Sequence, residues 1–190
     1  VFALTIIAFF LFVREIFSRK DKESKTKANL IASIATFFMI VMPAFLSRTV
    51  AGIPEKETIA FFFMFLSFFL FLRAWKSEKK VYAYTLGTLA GIVTGLLGLT
   101  WGGVSIIYIT IAVAGIGAFI LNKIKTKEII VYGLWFLFSA IVIFSLTNRF
   151  NPKDFIMGID TGLSFLVLFS FLAHHGLWNT RLKEILKLEK

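Results

Sequence analysis

Long apolar runs dominate this sequence and constrain its fold more than any other feature. Six runs approach the roughly 20 residues that a helix needs to cross a bilayer, and they occupy residues 28–46, 58–72, 82–100, 104–121, 129–147 and 155–178. Another run, at residues 1–13, is too short to cross alone. None alternates with the two-residue period of a barrel strand. The sequence therefore predicts an all-α, polytopic transmembrane helix bundle with six complete spans and one partial span.

Composition excludes the ordinary classes of soluble protein. Hydrophobic residues make up 58% of the chain, the mean hydropathy is +0.84 and Phe alone occurs 24 times, values outside the range of a typical soluble domain. The absence of cysteine excludes disulfide bonds, thiolate catalysis and thiolate metal sites. Because the chain begins inside an apolar run, we expect residues 1–190 to be a fragment of one transmembrane domain.

The charged residues predict how the spans are oriented. Alternate loops at 14–27, 73–80, 122–128 and 179–190 hold 6, 4, 3 and 4 of the 21 Lys and Arg residues. The positive-inside rule places these loops in the cytoplasm, so the net charge of +10 indicates topology and contact with anionic lipid head groups rather than a nucleic-acid partner. The intervening loops then share the outer face of the cell membrane.

A charged segment at residues 47–57 (SRTVAGIPEKE), between two apolar runs, is the candidate active site. Charge beside membrane-length apolar runs on both sides needs a functional or structural reason. Glu55 and Glu57 carry the hard oxygen ligands that Mg²⁺ or Mn²⁺ prefers, and they project to the same side if the segment is extended. The simpler alternative makes Pro54 the first residue of a helix, with both carboxylates stabilised by the helix dipole.

Other residues near the predicted outer face allow a functional and a structural interpretation. Arg48 can bind a phosphate oxygen or orient a metal-bound carboxylate, or its side chain can simply extend to the lipid head groups. The triplet Trp101, Gly102 and Gly103 can line a lipid or sugar cleft, or form a tight turn with an interfacial Trp. For Asp160, a solvated loop is the simpler interpretation and an outer vestibule the alternative.

Two further patterns lie inside the predicted spans. Gly91 and Gly95 have the small-xxx-small spacing that lets two helix backbones approach closely. His174 and His175, near the end of the last span, point about 100° apart on a helix and make a poor joint metal site. We expect the two histidines to be interfacial.

The charged segment and the Trp-Gly-Gly triplet, in this order, resemble the catalytic subunit of oligosaccharyltransferase, particularly its archaeal single-subunit form. That family has an S-R-[ST]-[VM]-[AS]-G segment followed by two acidic positions at the outer end of a membrane helix, and a Trp-Gly-Gly turn further on. Many members have Asp at the position of Glu55. The resemblance implies a C-type glycosyltransferase membrane domain, with a first helix and acidic motif before Val1 and a soluble domain after Lys190.

The same resemblance implies transfer of an oligosaccharide from a polyprenyl (dolichyl) phosphate or pyrophosphate carrier to Asn in Asn-x-Ser/Thr sequons of an acceptor polypeptide. It implies an Mn²⁺ or Mg²⁺ cofactor, with Glu55 and Glu57 as catalytic metal ligands at the extracytoplasmic face. Because further carboxylates would complete the site, this piece alone is expected to be inactive. Binding of the lipid phosphate or substrate is implied for Arg48, Trp101, Gly102 and Gly103.

Two other functions fit parts of the pattern. Another C-type glycosyltransferase that uses a lipid-phosphate sugar would share outer-face acids, without the combination of the two motifs. A transporter or lipid flippase would carry ionisable residues near the middle of the membrane or broken half-helices. Here the charges cluster at the ends of the spans, which favours the enzyme.

Overall fold

The computed structural model describes residues 1–49, 56–147 and 151–178. Within these ranges the chain is helical and contains no strand, which confirms the predicted all-α fold. The helices, with one 3₁₀ turn between α5 and α6, are α1 (Phe2–Phe17), α2 (Lys22–Val41), α3 (Pro43–Leu46), α4 (Lys56–Lys76), α5 (Lys80–Thr100), the 3₁₀ turn (Gly102–Val104), α6 (Ser105–Ile120), α7 (Thr126–Leu146), α8 (Pro152–Met157) and α9 (Ile159–Trp178).

Four segments in the described ranges are long and apolar enough to cross a membrane: Lys56–Lys76, Lys80–Thr100, Gly102–Ile120 and Thr126–Leu146. The count of six complete spans is not confirmed. The first run forms α1 of 16 residues, too short to cross alone, and the last run is divided at Gly158 into α8 and α9. The second run breaks at Met42, where Pro43 begins the short helix α3, because proline is tolerated at the first position of a helix and not in its interior.

Each long helix packs mainly against one or two others. α1 contacts α2 and α4, α4 also contacts α5, α5 contacts α7, and α6 contacts α9. The centre of this bundle is aromatic: Trp135 is fully buried and its ring lies 5.3–5.4 Å from those of Phe71, Tyr108 and Tyr132. Edge-to-face and tilted pairs at such distances add to the stability gained by burial.

The interface between α5 and α7 depends on glycine, as the spacing of Gly91 and Gly95 predicts. A Cβ atom at Gly91 would lie 2.5 Å from the carbonyl oxygen of Trp135, and one at Gly95 would lie 2.5 Å from Cβ of Val142. Both positions are buried in α5. Only hydrogen fits at these points, so the two helix backbones come into direct contact.

A buried polar cluster joins three helices in the middle of the bundle. The Thr94 hydroxyl lies 2.6 Å from the Ser67 hydroxyl, accepts a hydrogen bond from Trp135 Nε1 at 2.9 Å and donates to the Ala90 carbonyl oxygen at 2.8 Å. Ser67 and Thr94 are fully buried. In an apolar environment polar groups must find partners within the protein, so this cluster ties α4, α5 and α7 together.

The two ends of the bundle differ in their chemistry. At one end, which we call the basic end, Lys127 Nζ donates to the carbonyl oxygens of Trp75 and Ser77 at 2.7 Å. A hydrogen bond from Lys20 at the same end lowers the pKa of Glu78. The predicted cytoplasmic loops 14–27, 73–80 and 122–128 therefore gather at one end, and loop 179–190 lies outside the described residues.

Candidate functional site

The opposite end, which we call the site end, contains the charged segment predicted to be functional. Arg48 Nη1 lies 3.2 Å from Glu57 Oε1, and the Thr58 hydroxyl donates a 2.7 Å hydrogen bond to the Arg48 carbonyl oxygen. The Arg48 side chain is 51% exposed and that of Glu57 is 24% exposed. The turn after α3 and the start of α4 are thus held together by an ion pair and a backbone contact.

Glu57 lies in the first turn of α4, which begins at Lys56. A carboxylate is favoured there because the unpaired N–H groups of the first turn carry partial positive charge. This position fits the simpler interpretation of Glu57 as a helix-start residue, and the partly exposed carboxylate also leaves oxygen available to a ligand. Glu55 lies outside the described residues, so the predicted pairing of the two carboxylates stays a prediction.

The described residues do not by themselves form a divalent metal site. Among residues 1–49, 56–147 and 151–178, no group of three or more His, Cys, Asp or Glu side chains could hold a metal ion. At the predicted position these ranges contribute one carboxylate, Glu57, whose partner is Arg48. Glu57 has the hard oxygen chemistry that Mg²⁺ and Mn²⁺ prefer, so its donor type fits the predicted ion, and the metal site stays a prediction.

The Trp101, Gly102 and Gly103 triplet forms a sharp turn at the site end. Trp101 is extended after the end of α5, and residues 102–104 form a single 3₁₀ turn before α6. A Cβ atom at Gly103 would lie 2.1 Å from the Trp101 ring, and one at Gly102 would meet nothing within 4 Å. Gly103 is therefore required by the packing of Trp101, and Gly102 leaves an open surface.

An aromatic contact joins this turn to the charged segment. The rings of Trp101 and Phe61 meet edge to face at 6.1 Å, and Phe61 lies 6.0 Å from Phe45 of α3. Phe61 is one helical turn after Glu57. The structure therefore brings the two predicted motifs to the same end of the bundle, although they are separated in sequence by most of α4 and all of α5.

A polar cavity beside the turn was not predicted. It has a volume of about 240 Å³ and is lined by Gly102, Ser105, Asp154, Asp160 and Thr161 together with apolar residues. Ser105 donates a hydrogen bond to the Asp160 carboxylate, and Thr161 donates to the Phe155 carbonyl oxygen.

Asp160 is therefore not part of a solvated loop, the simpler interpretation of the sequence. It is partly buried in the first turn of α9 and hydrogen-bonded to α6. The signal available in the sequence was its place two residues after Gly158, which can end one helix before the next begins, because acidic residues favour the first turn of a helix. Asp160 thus belongs with the Trp-Gly-Gly turn at the site end.

His174 lies far from this site. Its ring packs edge to face on Phe119 at 5.2 Å, near the end of α6. α6 begins at the site end with Ser105 and runs to Ile120, so the His174 contact is at the basic end. This agrees with the predicted location of the histidine pair at the end of the last span away from Glu57.

Fold and site together define a polytopic helical membrane protein with a charged, aromatic-walled site at one end of its bundle. Comparison with protein families matches residues 2–183 to the family described as "Oligosaccharyl transferase STT3, N-terminal". The chain belongs to this family. Its members are membrane-embedded glycosyltransferases of protein N-glycosylation, which act on a lipid-linked oligosaccharide and an acceptor peptide. No curated protein sequence matches the chain.

Proposed function

We propose that this chain is the membrane domain of an archaeal single-subunit oligosaccharyltransferase. The whole enzyme transfers an oligosaccharide from a polyprenyl (dolichyl) phosphate or pyrophosphate carrier to Asn in Asn-x-Ser/Thr sequons. The observation that carries the proposal is the Arg48–Glu57 ion pair at a helix end, joined through Phe61 to the Trp101 turn. Family membership favours this reaction over a transporter or another C-type glycosyltransferase.

Glu57, together with Glu55, would hold an Mn²⁺ or Mg²⁺ ion. Such an ion, when bound, neutralises charge on the leaving phosphate and helps to orient the acceptor amide. Arg48 holds the Glu57 carboxylate at 3.2 Å and so restricts its orientation, as groups behind metal ligands commonly do. The guanidinium also adds fixed positive charge next to the carrier phosphates.

The site lies where the ends of the apolar helices meet water, and this suits a lipid-linked substrate. A polyprenyl chain can stay in the bilayer while its phosphate and sugars reach the charged segment at the helix end. We place this end of the bundle on the extracytoplasmic face, because the basic loops of the opposite end follow the positive-inside rule. Trp101 and the open surface at Gly102 would then contact the substrate.

A transfer assay on the full-length enzyme tests the proposal. With a lipid-linked donor and a sequon peptide at saturating Mn²⁺, we expect Glu55→Gln and Glu57→Gln each to lower the rate about 100-fold, the scale on which loss of transition-state charge stabilisation acts. Chelation with EDTA should abolish transfer in the unaltered enzyme, and Mn²⁺ should restore it. Retained activity in both variants would refute the metal assignment.

The matched control is Glu23→Gln. Glu23 is an exposed carboxylate near the start of α2 whose ion partner, Lys27, lies one turn along the same helix at 2.6 Å. An exposed pair of this kind contributes little to stability, and α2 begins at the basic end. We expect the Glu23 variant to retain full transfer activity.

A further inference from the structure

An apolar groove lies between α1, α4 and α6 in the half of the bundle near the basic end. Its volume is about 270 Å³, and the described residues that line it are aliphatic or aromatic apart from Thr110. Ile16 on its edge is 45% exposed, so the groove opens sideways, toward the bilayer. Its lining includes Ile16, Phe68, Trp75 and Ala114.

The groove continues into a basic pocket at the helix ends, because Ile16 lines both. The pocket has a volume of about 730 Å³. Six basic side chains and one acidic side chain, Glu15, line it, and the basic ones are Arg14, Arg19, Lys20, Lys25, Arg73 and Lys76. A strong excess of positive charge thus adjoins the apolar groove at Ile16.

Several of these charges already have structural roles. Arg73 lies 3.0 Å from Glu15, Lys20 pairs with Glu78, and Lys76 donates to the carbonyl oxygens of Glu15, Ile16 and Ser18 at the end of α1. Arg19 and Lys25 differ from them. Neither side chain makes a hydrogen bond or an ion pair with the residues that the structure describes.

We propose that the groove and the pocket together bind one anionic glycerophospholipid of the bilayer. Its phosphate lies between Arg19 and Lys25, and one hydrocarbon chain follows the groove past Phe68 and Ala114. A zwitterionic lipid would add a cationic group to a pocket that is already rich in positive charge, and a soluble anion would leave the groove unfilled. Basic pockets between membrane helices are suited to anionic head groups. The site is at the end of the bundle away from Glu57 and is independent of the transfer reaction.

Trp75 provides a direct probe, because its ring lines the groove. Full-length protein is placed in phosphatidylcholine nanodiscs that contain increasing mole fractions of either brominated-chain phosphatidylglycerol or brominated-chain phosphatidylcholine. The fluorescence difference between the unaltered protein and Trp75→Phe isolates the quenching of Trp75. We expect quenching at a several-fold lower mole fraction of brominated phosphatidylglycerol than of brominated phosphatidylcholine.

Removal of the two free charges tests the head-group part of the site. In the double variant Arg19→Gln, Lys25→Gln, the preference for phosphatidylglycerol should fall about fivefold for each charge removed. This is the factor expected for a basic side chain near an anionic lipid. The matched control, Lys22→Gln with Lys123→Gln, removes two charges that do not line the pocket and should keep the preference.

Filling of the groove tests the hydrocarbon-chain part of the site. Ala114→Phe places a ring in the groove and should strongly reduce quenching of Trp75 by either lipid. Val113→Phe, at the neighbouring residue, which does not line the groove, should leave quenching unchanged. Three outcomes would overturn the proposal. Both lipids could quench Trp75 equally in the unaltered protein, or the two double variants could have equal effects. The third outcome is that no brominated lipid quenches Trp75, because another part of the full-length chain covers the groove.

Discussion

At the scale of single residues, the two glycines of the Trp-Gly-Gly turn have different physical roles. Gly103 lies under the Trp101 ring, at a distance that excludes any side chain, and Gly102 faces open space beside the polar cavity. The ring held over Gly103 is the one that meets Phe61. Gly103 therefore shapes the wall of the site, and Gly102 leaves room next to it.

This difference leads to a prediction for the pair of alanine substitutions. Gly103→Ala should displace the Trp101 ring from Phe61 and lower the free energy of unfolding by about 1 kcal/mol, the value typical of an aromatic pair. Gly102→Ala should change stability little, because its Cβ atom meets nothing within 4 Å. Thermal unfolding of the two variants in detergent measures the difference. Equal destabilisation would contradict the assigned roles.

The charged segment shows how much of the candidate site the residue types predict from the sequence. Residue types alone indicated that Arg48 and Glu57 lie at a membrane surface, and the structure joins them at 3.2 Å. The spacing of Glu55 and Glu57 could not decide between a metal-ligand role and a helix-start role. A carboxylate is stabilised by positive charge in either role, whether the charge is a cation or the helix N-terminus. Asp160 was misjudged because its partner, Ser105, is 55 residues away.

At the scale of helices, hydropathy locates the apolar runs better than the helix ends. α2 begins at Lys22, in a stretch interpreted from the sequence as a polar loop, because the Asp21 side chain accepts a 2.7 Å hydrogen bond from the Ser24 backbone N–H. This is an N-terminal cap, which stabilises a helix regardless of its polarity. Hydropathy reports only the preference of a segment for the bilayer, so it cannot locate a helix start whose first turn is charged.

The contact between α5 and α7 gives a second prediction. Gly91→Ala would place a Cβ atom 2.5 Å from a backbone oxygen of α7, and a backbone atom cannot move aside without separating the helices. We expect a loss of about 1–3 kcal/mol, as for other overpacked sites. Gly117→Ala in α6, where nothing lies within 4 Å, is the control and should be nearly neutral. A Gly91 variant as stable as this control would show that the backbones do not meet.

At the scale of the whole molecule, the alternation of basic and less basic loops was enough to predict which helix ends lie together. Lys127 meets the end of α4, and Arg73 meets Glu15 of α1, as that alternation requires. The interior could not be predicted in this way. Thr94 and Ser67 lie 27 residues apart in apolar runs, and a hydropathy pattern contains no information about which polar residues pair.

The claim on which the functional proposal most depends is that the charged segment faces outward and the basic end faces the cytoplasm. Residues 1–190 contain no cysteine, so a single cysteine introduced among them can report the end at which it lies. We predict that Lys56→Cys, next to Glu57, reacts with a membrane-impermeant maleimide on intact cells. Lys79→Cys, at the start of α5, should react only after permeabilisation. The reverse pattern of labelling would contradict the proposed location of the site.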